Sequence, residues 1–316
     1  MTKLTIIVYH YVRPVKGSKF PRLKALENKL FCKQLDYLQK KYTIISYEDF
    51  LNLINKKSKF RNPCLLTFDD GYKDHIKYVL PELKKRRIKG CFFPAVEPIL
   101  KNKVLNVNKI QFVIEKEKNI LKIFKNIFEY IEKKKIKNIN YSKKNIIKIK
   151  KKFFNKNRKY NDNNTAFLKY LLQIYLSEEI RDETCNYLFK KYVSPKEEIF
   201  SKKLYMSTKD LKKLIKEKMY IGVHGFTHKH MNRLSYNRQL REIKRNIKFL
   251  KNIGLENKRS LMCYPYGVYN DNTIKILKKN NFIGGLTIKS GINKISSKKK
   301  FYNFKRIDTN EFLNFS

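Results

Sequence analysis

Seven short apolar runs constrain this chain more than any other feature. They are "LTIIVY" (4–9), "TIIS" (43–46), "CLLTF" (64–68), "GCFFPAV" (90–96), "YIGV" (220–223), "SLMCY" (260–264) and "GGLTI" (284–288). Each has the length and β-branched or aromatic content of a strand. Helical patterns separate them. "LFCKQLDYLQKKY" places Phe31, Leu35 and Leu38 on one face, "HIKYVLPELKKRRI" reads as a helix kinked or restarted at Pro81, and "QLREIKRNIKFLKNIG" turns Leu240, Ile243, Ile247 and Leu250 inward and stops at Gly254. Ser207 and Asp210 form a capping-box pattern ahead of another helix. Seven strands alternating with helices specify a parallel α/β barrel or an open α/β sheet. The barrel is favoured by where polar residues fall: His10 follows the first strand, Asp69 and Asp70 the third, His224 the fifth and Pro265–Gly267 the sixth. All lie at strand C-termini, the functional face of a (β/α) barrel.

The rhythm breaks between residues 101 and 200. This stretch has no glycine, is rich in Lys, Ile, Asn and Phe, and contains the amphipathic patterns "IFKNIFEYIEKKK" and "FLKYLLQIYL". Its apolar content is too high for disorder. It reads as a helical insertion, expected to cap the active site of a barrel made from residues 1–100 and 201–316.

The formal net charge is +46 over 316 residues. Lys far exceeds Arg, Trp is absent, and Asn, Ile, Tyr and Phe abound, which fits a biased codon supply better than specific nucleic-acid recognition. What remains is a weak attraction for anionic partners, including anionic membrane surface. Five cysteines form no CxxC pair, as expected for buried free thiols in a reducing compartment. The N-terminal apolar run is too short for a signal segment and no apolar stretch is long enough to span a bilayer, so a cytoplasmic location is expected.

Two stretches carry chemistry. In "LLTFDDGYKD", Asp69 and Asp70 adjoin Gly71. Taken alone, Asp-Asp-Gly is a strand-ending turn. In "IGVHGFTHKHMNRL", three of the chain's five histidines, His224, His228 and His230, fall within seven residues. Two imidazoles and a carboxylate are a standard set for a divalent transition metal with open positions for water.

The motifs "TFDDG" (67–71), "HGFTH" (224–228) and "CYPYG" (263–267), in this order, resemble the polysaccharide deacetylases of the NodB-homology type, carbohydrate esterase family 4. The resemblance covers the barrel part and skips the insertion. It implies a deformed (β/α)7 barrel that removes N-acetyl groups from sugars with a divalent metal, zinc by default, with nickel, cobalt or iron fitting the same ligands. Carried over, it makes Asp69 the catalytic base, Asp70, His224 and His228 the metal ligands, and the backbone N–H of Tyr266 an oxyanion donor. The usual late Leu-x-Leu-x-His segment is missing, because the C-terminus holds no histidine. His10 in "TIIVYHYV" resembles the acid motif that one subset of the family, which includes poly-N-acetylglucosamine deacetylases, carries at its N-terminus, and is assigned as the general acid. Many relatives have Arg where Cys263 stands, contacting the catalytic Asp. Arg306 in "FKRID" is the candidate substitute, although such a residue is more often a surface or strand-end charge. His230 reads as solvated rather than as a spare ligand, His75 has no assigned role, and Asp74 is expected at a helix start where it suits the dipole.

The expected substrate is an N-acetylated carbohydrate, nucleotide-linked, lipid-linked or a surface-glycan precursor. The alternative is a basic protein that binds nucleic acid or membrane surface and uses the barrel as a scaffold. That protein would show salt-sensitive binding and no need for metal.

Overall fold

The computed structural model describes residues 2–134, 141–156, 163–255, 259–295 and 301–309. Its strands are β1 (Thr2–Tyr9), β2 (Thr43–Ile44), β3 (Pro63–Asp70), β4 (Cys91–Pro94), β5 (Tyr220–Ile221), β6 (Ser260–Cys263), β7 (Phe282–Leu286), β8 (Asn293–Ile295), β9 (Phe301–Phe304) and β10 (Ile307–Asp308). β3 is buried along its whole length and β1 along most of it. Near-continuous apolar strands of this kind are covered on both faces, as parallel sheets require.

The strands follow the order β10-β1-β3-β4-β5, all in parallel. A single parallel bridge, Val223 to Met262, leads on to the parallel trio β6-β7-β9. β9 runs through two residues into β10, and so the path returns to β1. This is the mixed α/β, deformed-barrel architecture expected from the sequence, with its staves differently assigned. "TIIS" gives only the two-residue β2, which pairs beside β3 and off the path. The seventh stave comes from β9 and β10, short strands in a lysine-rich tail with little apolar periodicity. β8 adds an antiparallel pair to β1.

Helices pack where periodicity placed them. Asn28–Lys41 buries Phe31, Leu35 and Leu38. Thr208–Lys216 begins with the Ser207/Asp210 capping box. After β3 the chain makes a π turn, His75–Val79, and restarts as Leu80–Lys85 with Pro81 in its first turn, where a missing N–H costs nothing.

The chain divides into two compact units. One comprises Met1–Pro14, Lys24–Asn102 and Ser201–Ser316 and holds every strand above. The other comprises Val15–Leu23 and Lys103–Phe200, and its described regular elements are helical. This helical unit has its own core, in which Ile123, Phe124, Ile127, Phe167, Leu171 and Leu188 cluster. Val15–Leu23 joins it through Phe20, which meets the Phe112 ring edge-on at 4.7 Å, and through Arg22, whose backbone N–H donates to Glu115. No helix among the described residues is long and apolar enough to cross a membrane.

Candidate metal centre

Asp69 and Asp70 are the last two residues of β3, opposite Phe93 and Pro94 of β4. The strand then turns sharply: Asp70 has φ 69° and Gly71 has φ 77°. A Cβ on Gly71 would stand 2.7 Å from Cβ of Pro94, so the position tolerates only glycine. The turn that Asp-Asp-Gly suggests is therefore present, and it sends the two carboxylates to different partners.

Asp70 faces two imidazoles. Its Oδ1 lies 3.2 Å from Nε2 of His224 and 3.2 Å from Nε2 of His228. Its Oδ2 accepts a 2.6 Å hydrogen bond from the Tyr72 hydroxyl. All of these side chains are buried. The loop bearing the histidines is held from behind by the helix Tyr236–Asn252. The Glu242 carboxylate accepts from the N–H groups of Phe226 and Thr227 and from the Thr227 hydroxyl, and the Asn246 amide donates to the Gly225 carbonyl. These anchors support His228 at φ 56°, an uncommon conformation for a residue with a side chain.

The donor set fits a divalent metal. His224 donates its Nδ1–H to the Cys263 carbonyl at 2.8 Å, which fixes the tautomer and leaves the Nε2 lone pair facing Asp70. A lone pair and a carboxylate at that distance repel unless a proton or cation lies between them. One ligand atom from each of Asp70, His224 and His228 can be chosen so that all lie within 4.8 Å of one another. Nδ1 of His228 is buried with no hydrogen-bond partner. Two imidazole nitrogens and one carboxylate oxygen suit zinc, nickel, cobalt and iron(II). Burial pushes the Asp70 carboxyl upward, but the two imidazoles beside it outweigh this and hold it well below the usual range.

Asp69 faces a cation. Arg306 grips it at two points, donating from Nη1 to Oδ1 at 2.9 Å and pairing Nη2 with Oδ2 at 2.8 Å, and donates from Nε to the Thr287 carbonyl at 2.8 Å. Arg306 is 1% exposed, so it is a buried site residue and not a surface or strand-end charge. The Cys263 thiol donates to the same Oδ2 at 3.3 Å. Asp69, His224 and Cys263 form a second cluster of metal-type ligands. Burial, however, pushes the Cys263 thiol up and keeps it protonated, as a donor rather than a ligand. Burial also raises the Asp69 carboxyl, and Arg306, His224 and His10 overcome that effect and hold it below its ordinary value.

His10 follows β1, one step beyond the pair Tyr9–Phe68, which sets it level with Asp69. Its Nε2 is 3.9 Å from Asp69 Oδ2, and its side chain is 42% exposed. His75 is fully buried and bonds through Nε2 to the His10 carbonyl at 2.9 Å, so it positions the backbone of His10. Tyr266 sits at φ 56° in the turn after β6, with its ring 4.8 Å from that of His228. His230 stacks on Tyr266 at 3.8 Å and lies outside the ligand cluster. Asp74 makes no cap bond. It is buried and takes a 2.7 Å bond from Arg13.

The structure thus gathers His10, Asp69, Asp70, His224 and His228, with Tyr266 beside them. Sequence reasoning missed Tyr72, Glu242 and Asn246. The one available signal was Glu242 and Asn246, four apart on a helix whose apolar stripe they border.

A family model described as polysaccharide deacetylase matches residues 56–283. No curated protein matches the chain. Among solved structures, the chain is similar to the Streptococcus pyogenes deacetylase PplD in complex with acetate (TM-score 0.56, 16% identity, 97% of this chain and 92% of that one). It is similar to a de-N-acetylase from Aggregatibacter actinomycetemcomitans (TM-score 0.57, 15% identity, 98% and 96%). It is also similar to IcaB from Ammonifex degensii (TM-score 0.57, 16% identity, 98% and 94%). At these identities the likeness is one of fold.

Proposed function

The chain belongs to the polysaccharide deacetylase family and is an N-deacetylase of that family; from that premise we propose that it hydrolyses the acetamide of an N-acetylated sugar using Asp69 as base and His10 as acid. In this reading Asp70, His224 and His228 hold a divalent metal ion. The observation that carries it is the convergence of those three ligand atoms beside a second, separately paired carboxylate.

When bound, the ion supplies Lewis acidity, which polarises the acetamide carbonyl and activates water near neutral pH. Asp69 takes the proton from the attacking water. Its two contacts with Arg306 keep it ionised and fix its plane; with the Cys263 thiol also on Oδ2, Oδ1 is the oxygen that retains a further acceptor site for that proton. The Tyr266 N–H donates to the oxygen that gains charge at the acyl carbon. His10, partly exposed beside Asp69, gives a proton to the nitrogen as the C–N bond breaks, so acetate and a free amine leave. A nucleotide- or lipid-linked sugar, or another anionic surface-glycan precursor, accords with the net charge of +46.

The test is acetate release from free, nucleotide-linked, lipid-linked and oligomeric N-acetylated sugars by wild type and Asp69→Asn. Wild type should release acetate from one of these classes. Asp69→Asn should retain metal and slow release by about 10²–10⁴-fold. An undiminished rate in the variant would remove Asp69 as base, and a metal-loaded wild type inert on every class would contradict the activity.

A further inference from the structure

The helical unit carries a feature that no step of deacetylation uses. From Lys133 to Lys159 the sequence holds thirteen Lys or Arg in 27 residues and no Asp or Glu. For the whole chain the figure is 73 in 316, so the positive charge is concentrated here about twofold. The helix Lys143–Lys156 lies inside this run. Lys143, Lys144, Lys148, Lys151 and Lys152 are exposed on it, while Ile146 is buried.

The same helix forms one wall of an open groove of about 450 Å³, and the helix Ile120–Lys133 forms the other. Phe124, Phe128, Ile146 and Phe167 line its apolar part. Two large apolar side chains stand at its lips: Leu121 is 59% exposed and Ile147 is 41% exposed. The Lys150 ammonium lies over the Phe124 ring, 4.8 Å from its centroid, a cation on an aromatic face of the groove. The wall from Ile120–Lys133 also carries Glu129 and Glu132, and Glu129 pairs with Lys125 at 3.9 Å.

An apolar slot with exposed aliphatic lips beside a row of exposed lysines has two needs. The lips gain by leaving water, and the lysines gain from fixed negative charge. A nucleic acid meets only the second, because phosphate offers Leu121 and Ile147 nothing. An acidic protein would have to supply an apolar wedge of matching shape. A bilayer with anionic headgroups supplies both at once, acyl chain for the groove and phosphate for the lysines. We propose that the helical unit docks on anionic membrane through this surface, with Leu121 and Ile147 entering the acyl boundary and Lys144, Lys148 and Lys151 lying among the headgroups. The proposal does not depend on the catalytic reading.

The test is co-sedimentation of the full chain with mixed phosphatidylglycerol/phosphatidylcholine vesicles and with pure phosphatidylcholine vesicles, over a salt series. Wild type should bind the mixed vesicles, lose that binding as salt rises, and ignore the neutral ones. Each surface lysine contributes about fivefold near such a membrane, so Lys144→Gln/Lys148→Gln/Lys151→Gln should weaken binding about a hundredfold at low salt. The matched control Lys209→Gln/Lys212→Gln/Lys216→Gln removes three exposed lysines from the helix Thr208–Lys216 of the barrel unit, and should shift binding less than about twofold. Leu121→Ser/Ile147→Ser keeps every charge and should still weaken binding about tenfold or more. Equal losses in the two lysine triples would reduce the effect to bulk charge and overturn the proposal. Unchanged vesicle binding in Leu121→Ser/Ile147→Ser would overturn it as well, leaving a polyanion site of the nucleic-acid kind.

Discussion

The barrel unit and the helical unit differ most in how they treat their backbone. All nine non-glycine residues with positive φ among the described residues lie in the barrel unit, and three of them, Asp70, His228 and Tyr266, surround one centre. The helical unit is built from regular helices and has none among its described residues. Both units bury charge. Lys109 in the helical unit is 4% exposed and bonds Glu197 at 2.8 Å, a single pair between neighbouring elements. Arg306 and Asp69 are as deeply buried, but their pair adjoins a second carboxylate and three histidines. Strained backbone and clustered ionisable groups occur together where chemistry is proposed, and regular periodicity prevails where packing alone is required.

Removing a buried charge from each unit probes that contrast. Arg306→Ala leaves Asp69 buried without its cation and should destabilise the fold by about 3–5 kcal/mol. Acetate release per folded chain should also fall about a hundredfold, through misplacement of the base. Cys263→Arg in the same chain should recover much of that loss, because Sγ of Cys263 already lies 3.3 Å from the carboxylate oxygen that Arg306 holds. Lys109→Ala should cost comparable stability, read by denaturant unfolding, and leave acetate release per folded chain unchanged. A rate loss in Lys109→Ala equal to that in Arg306→Ala would erase the distinction.

Acid sensitivity separates the units next. Burial pushes His75 down from 6.5 to about 4. Between those values the unfolded chain binds a proton that the folded chain does not, so stability is present above pH 6.5 and is lost as pH falls toward 4. The difference is about 3 kcal/mol. His75→Gln, which can still donate to the His10 carbonyl, should flatten this limb of a pH series of unfolding midpoints. An unaltered acid limb would show that His75 does not cause it.

A smaller effect is expected at Tyr72, whose hydroxyl holds the second oxygen of Asp70. Tyr72→Phe should lower metal affinity about tenfold in a competition titration with a chelator and leave the unfolding midpoint nearly unmoved. Wild-type affinity in the variant would mean that the strand alone orients Asp70.

Much of the barrel was legible in the sequence because buried parallel strands are continuous apolar runs. β1, β3, β4, β6 and β7 announce themselves in this way, and His10 after β1 and Asp69 and Asp70 at the end of β3 mark the face that gathers the candidate site. β9 and β10 did not, since they are short, lie among lysines, and pair only through contacts distant in sequence. The same tail left Arg306 a candidate only. Nothing local separates an arginine that reaches a buried aspartate from one that faces water. Asp69, Asp70, His224 and His228 stood out through motif and spacing, whereas Tyr72, Glu242 and Asn246 act through bonds visible only once the chain is folded. Positive φ at Asp70, His228 and Tyr266 was equally silent, because these residues lack the glycine signature of such conformations.

The most direct measurement is bound divalent metal per chain in wild type and Asp70→Asn, with acetate release from an N-acetylated sugar assayed on the same preparations. The account predicts about one ion per wild-type chain, and loss of both the ion and acetate release in the variant. Wild type that releases acetate without bound metal, or Asp70→Asn that keeps both ion and activity, would contradict it.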